Sequence, residues 1–181
     1  METTYRGTTP KYATRALLDQ RNDSSPFAWH APVVVFAAVA MMIGVYWDIS
    51  WHMSIGRDSF WTPAHLLIQA GGLVAGVTSG YVALRTTFGR DPMAKANAVS
   101  FWGFRAPLGA WVCIWGCLAM VTSAPFDNWW HNAYGLDVRI LSPPHMVLAL
   151  GIGGIGVGAL LLTLAWQNRE TRHQRLAVWL F

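Results

Sequence analysis

Charge is scarce in this chain. Of 181 residues only 12% are charged, and nine are acidic. A self-repelling, disordered tail is excluded by that shortage and by the 54% hydrophobic content. Cysteine is nearly absent too, so a disulfide-stapled secreted domain is excluded. The only two, Cys113 and Cys117, sit four apart in an apolar stretch. They share a helix face and read as small packing residues. The first 27 residues lack the short apolar core and small-residue cleavage site of a signal peptide. They read instead as a polar cytoplasmic arm, followed by an uncleaved anchor. The 13 basic residues form no dense patch, so nucleic acid is not an expected partner.

What is abundant is apolar and aromatic, including 11 tryptophans. Four long segments carry it: Pro32–Trp47, Pro63–Leu84, Pro107–Pro125 and Pro144–Trp166. Each is near the ~20 residues a helix needs to cross a ~30 Å hydrocarbon layer. None shows the polar face that a buried helix of a soluble bundle would keep. Pro63, Pro107 and Pro144 stand at helix starts, where a missing N–H costs nothing. The expected fold is an all-α integral membrane protein of about four spans. The closing run Leu176–Phe181 is too short to cross and reads as the start of a further helix or as an interfacial segment. Eleven of the 13 Lys and Arg residues fall in the N-terminal arm, the link between spans two and three, and the C-terminal stretch. The positive-inside rule then puts both termini in the cytoplasm and the other two loops outside. Glycines at four-residue spacing, Gly72, Gly76 and Gly80 in span two and Gly154 and Gly158 in span four, predict close helix contacts.

The two outer loops repeat each other. Asp48, Trp51, His52, Gly56 and Asp58 recur 79 positions on as Asp127, Trp130, His131, Gly135 and Asp137. Pro63, His65 and Gly71 recur 80 positions on as Pro143, His145 and Gly151. The membrane domain therefore reads as one helical hairpin used twice, over about 28–100 and 101–181. Within each copy, Asp48 and His52 (or Asp127 and His131) are i and i+4, one turn apart on a shared face if the helix continues through them. His65 or His145 opens the following helix and folds back beside them. One carboxylate and two imidazoles converging at a membrane boundary, with further positions open, make a plausible catalytic metal site. Ionisable groups are costly there unless paired or metal-bound. Asp58 and Asp137 are expected to pair with Arg57 and Arg139 or to hydrogen-bond a ligand histidine. Met53 and Met146 read as membrane packing, and His30 and His173 as interface residues.

The stretch from His52 through Arg57, Asp58, Pro63, Ala64 and His65 resembles the C subunit of the copper membrane monooxygenases, the particulate methane, ammonia and hydrocarbon enzymes. Asp48, His52 and His65 match that family's copper-binding Asp-x3-His-x12-His trio. His131 and His145 match the histidines of its second trio, Asn-x3-His-x13-His; Asp127 stands where that pattern has Asn. The added negative charge favours a harder or more highly charged ion, so zinc or iron joins copper as an expectation at the second site. The resemblance covers roughly Trp47 to Gly151. It implies assembly with A-type and B-type subunits, as a trimer of heterotrimers in a bacterial or archaeal cytoplasmic or intracytoplasmic membrane. It further implies O2 and quinol as co-reactants, oxygen insertion into a small substrate such as ammonia or a short hydrocarbon, and Asp48, His52 and His65 as catalytic copper ligands. The residues alone leave two other readings: a non-catalytic copper-binding or accessory membrane protein, and a zinc hydrolase with Asp58 or Asp137 as general base.

Overall fold

The computed structural model describes residues 29–55, 61–135 and 142–178. Four long helices dominate: α1 (His30–Ser54), α2 (Pro63–Phe88), α4 (Leu108–Tyr134) and α5 (Pro143–Val178). Between α2 and α4 lie a short helix α3 (Pro92–Ala96) and two strands, β1 (Val99–Phe101) and β2 (Phe104–Ala106). All four long helices are long and apolar enough to cross a membrane. This is an all-α integral membrane fold.

The helices outrun the apolar segments that announce them. α1 continues past Trp47 to Ser54, α2 past Leu84 to Phe88, and α4 past Pro125 to Tyr134. A 27-residue helix is roughly 40 Å long, so α4 extends beyond the ~30 Å of hydrocarbon. Apolar composition marks only the lipid-covered part. α5 begins at Pro143, one residue before the expected start, and runs on to Val178. Leu176–Val178 thus prolongs α5, and residues 179–181 of that run lie outside the described residues. Pro125 lies inside α4, where it cannot donate to the carbonyl of Val121.

The link between spans two and three, expected only as a basic connector, is folded. Asp91 Oδ1 accepts from the amides of Met93 and Ala94 at 2.9 and 3.1 Å and starts α3. β1 and β2 pair antiparallel, Phe101 opposite Phe104. The two residues between them, Trp102 (φ 46°) and Gly103 (φ 82°), are both left-handed, which suits a two-residue hairpin turn. Thr87 on α2 pins the hairpin: its Oγ1 accepts from the Arg105 amide at 2.8 Å and donates to the Ala83 carbonyl at 2.7 Å.

The four long helices form a ring. α1 packs on α2 and α4 on α5; α2 against α4 and α1 against α5 join the two hairpins. That arrangement has approximate twofold symmetry along the bundle axis, and its core keeps the offset seen in the loops. Val34 and Cys113 are buried, as are Ala37 and Gly116, and Met41 and Met120, each pair 79 apart. Ala75 and Ile155 are 80 apart and buried, as are Val82 and Leu162. Gly71 meets Met41 and the Ala37 carbonyl, while Gly151 meets Met120 and the Gly116 carbonyl. Gly72 faces Met120 and Gly76 faces Cys117 across the α2–α4 seam, but Gly80 meets nothing within 4 Å. Only two of the three expected contact glycines of α2 are therefore used. Both cysteines are free and pack against glycines, Cys113 on Gly158 and Cys117 on Gly76. Large side chains such as Phe36, Val77 and Leu150 point outward and are exposed, as lipid-facing positions are in a helix that is apolar all round.

Candidate metal centre

Helical continuation past Trp47 is what builds the first site. It puts Asp48 and His52 on consecutive turns of α1, while Pro63 fixes the start of α2 and leaves His65 in its first turn. The Asp48 carboxylate lies between the two rings: His65 Nε2 is 3.0 Å from Oδ1, and His52 Nε2 is 3.9 Å from Oδ2. One donor atom from each of the three lies within 4.8 Å of the others. Donors around one ion with ~2 Å bonds sit about 3–4 Å apart, so a small contraction would close the shell.

The second copy is built the same way by α4 and α5. His131 Nε2 is 3.4 Å from Asp127 Oδ2, and His145 Nε2 is 3.9 Å from Oδ1. It is the looser of the two, since the described residues contain no other three-donor group as tight as the first. The single extra residue in its loop accompanies that difference. In both copies the carboxylate Oδ1 is shielded from solvent and faces an imidazole Nε2, His65 at 3.0 Å in the first and His145 at 3.9 Å in the second. A shielded carboxylate oxygen at a membrane boundary is stabilised by an imidazole N–H or by a cation held between carboxylate and imidazoles. The donor set therefore fits a metal ion with mixed nitrogen and oxygen preference: copper, zinc or iron.

Two contacts orient the second trio. His131 Nδ1 lies 3.3 Å from the Gly135 carbonyl, and His145 Nδ1 lies 2.8 Å from Ser142 Oγ. Each engages one ring nitrogen and leaves Nε2 turned to the carboxylate. Gly135 ends α4 at φ 90°, a left-handed value that favours glycine. That accounts for glycine at position 135. Ser142 escaped the sequence reading. Its signal is a hydroxyl residue before Pro-x-His, present in both copies as Thr62 and Ser142, and the Thr62 hydroxyl is likewise buried.

Both trios open on one cleft of about 90 Å³, lined by His52, His65, Asp127, His131 and His145, with Ile68 and Leu148 supplying apolar wall. At ~30 Å³ per water in the liquid, that is room for a few waters or one small molecule. Two carboxylates, from Asp48 and Asp127, give this end of the bundle a formal negative charge that cations would neutralise. The structure thus brings together all six expected ligands. Arg57, Asp58, Asp137 and Arg139 lie outside the described residues. No family model, curated protein or solved structure matches this chain.

Proposed function

We propose that this chain is the copper-binding C-type subunit of a membrane-bound monooxygenase complex that uses O2 to oxidise a small substrate, ammonia or a short hydrocarbon. The observation that carries it is the convergence of Asp48, His52 and His65 from two helices onto one point beside a small, partly apolar cleft. Copper held there would supply redox chemistry at open coordination positions. The chain's own residues do the rest. Asp48 contributes the negative charge that retains a cation, and the helical spacing of Asp48 and His52 sets the bite of the site. Ile68 and Leu148 favour a small apolar guest over bulk water. A and B subunits would complete the enzyme, with quinol as reductant. The second trio is a further ion site for copper, zinc or iron.

One feature favours a second reading, a non-catalytic copper-binding protein. The ligand side chains are 21–36% exposed, open enough to exchange an ion with solvent or a carrier. Metal analysis of the complex purified from its native membrane, with identification of co-purifying chains, separates the two. The oxygenase reading expects copper and two larger partners. It also expects that His52→Ala or His65→Ala removes copper and substrate oxidation together. Oxidation retained after copper is lost, or a metal-loaded chain that purifies alone, would overturn it.

A further inference from the structure

A second cavity, of about 180 Å³, lies at the other end of the bundle. It sits beside the start of α1, roughly 27 Å along that helix from Asp48. His30, Arg85, Thr86, Arg90 and Asp91 supply its polar lining, and Val82 and Ala94 line the apolar part. The metal chemistry makes no use of it. His30, expected as an interface residue, is buried at this end of the bundle, packed against Trp29 (ring centroids 3.5 Å apart) and near Tyr81 (5.5 Å). Thr86 is buried too.

The charge balance of this cavity favours an anion. Two arginines and one aspartate line it, and the aspartate is engaged: Asp91 Oδ1 accepts the two amides that start α3. Arg85 donates one N–H to the Tyr81 hydroxyl at 3.2 Å, which steadies its side chain along α2. Two arginines with planar forks are the usual recognition device for phosphate oxygens, and a basic pocket between helix ends at a membrane surface is where a phospholipid headgroup would meet it. Trp29 and Tyr81, both exposed beside the cavity, are the amphipathic side chains found at headgroup level. We propose that this cavity binds a phosphate group, with Arg85 and Arg90 as its cationic partners. The phosphodiester of an anionic phospholipid and a free phosphate share that chemistry.

The test uses the full chain in detergent, with phosphatidylglycerol as one probe and inorganic phosphate as the other. Binding of phosphatidylglycerol is followed by native mass spectrometry, and phosphate is added as competitor. One lipid per chain, weakened at least tenfold by Arg85→Gln with Arg90→Gln and unchanged by Lys95→Gln, supports the proposal with lipid as the source. Phosphate binding with the same arginine dependence, together with loss of the lipid adduct, supports it with a free phosphate as the source. Ala94→Leu leaves every charge in place and fills the cavity; it should abolish binding equally, and it serves as the second variant if the arginine pair fails to fold. Binding of neither probe, or binding indifferent to Arg85, Arg90 and Ala94, overturns the proposal. Copper content at the far end should stay constant across the variants and reports that the bundle is intact.

Discussion

The geometry of the candidate ligands depends on residues outside the two trios. Ser142 and the Gly135 carbonyl each meet the Nδ1 edge of a histidine and turn its Nε2 toward Asp127. Removing such a partner leaves the donor present but free to rotate, and typically costs 10–100-fold in metal affinity. Ser142→Ala should therefore weaken the second site by about that factor and spare the first, because the Ser142 hydroxyl bonds His145 of the second trio. Chelator-competition titration with Cu(II), on a chain whose first site is disabled by His52→Ala, measures the second site alone. An unchanged affinity would show that packing, not the hydroxyl, sets the His145 ring. At this scale the ligands themselves were legible from spacing. The hydroxyl was not, since serine before proline is common and only its repetition 80 residues from Thr62 singles it out.

Among the elements, the helix pairs inside each hairpin are set by glycines where the backbones approach closely. A Cβ on Gly151 would stand 2.8 Å from the Gly116 carbonyl and 3.0 Å from the Met120 amide, both backbone atoms. Backbone cannot step aside as a side chain can, so α4 and α5 would have to separate. Gly151→Ala should destabilise the chain by about 1–3 kcal/mol, in the range of core overpacking. Gly80→Ala meets open space, and alanine is the better helix former by about 1 kcal/mol, so it should be neutral or mildly stabilising. Reversible unfolding in mixed detergent micelles compares the two directly. If both variants behave alike, close approach is not what these glycines provide. The sequence pattern makes Gly80 and Gly76 look equivalent, four apart on one stripe. They differ because only one of them has a neighbouring helix beside it.

For the whole molecule, the consequence of the doubled hairpin is that both Asp-His-His trios lie at one end of the ring and the basic link at the other. With the basic end inward, Ser54→Cys should react with a membrane-impermeant maleimide added outside intact cells, and Asn97→Cys only after permeabilisation. The native cysteines add little background, since Cys113 is buried and both lie within α4. The reverse labelling pattern would turn the protein over and put the histidine-lined cleft on the cytoplasmic face. Because α1 meets α5 as α2 meets α4, the two sites face a shared cleft between the hairpins. No linear reading of the chain shows that sharing. Each trio is local to one hairpin, and their meeting depends on how the hairpins dock.

By itself the sequence determined the membrane-spanning class, the number of long helices, the doubled Asp-His-His pattern and the hairpin as its unit. These follow from solvent and periodicity: twenty apolar residues need lipid, and an i, i+4 pair shares a face wherever the helix persists. Only the tertiary structure decided that α1 and α4 persist far enough to carry their ligands, and that the link between the hairpins folds into a helix and a two-stranded ribbon. It also decided that the two trios share a cleft and that His30 lies buried beside an arginine-lined cavity. Those outcomes turn on which helix lies beside which, a choice made by packing many small contacts at once, and no single residue in the chain encodes it.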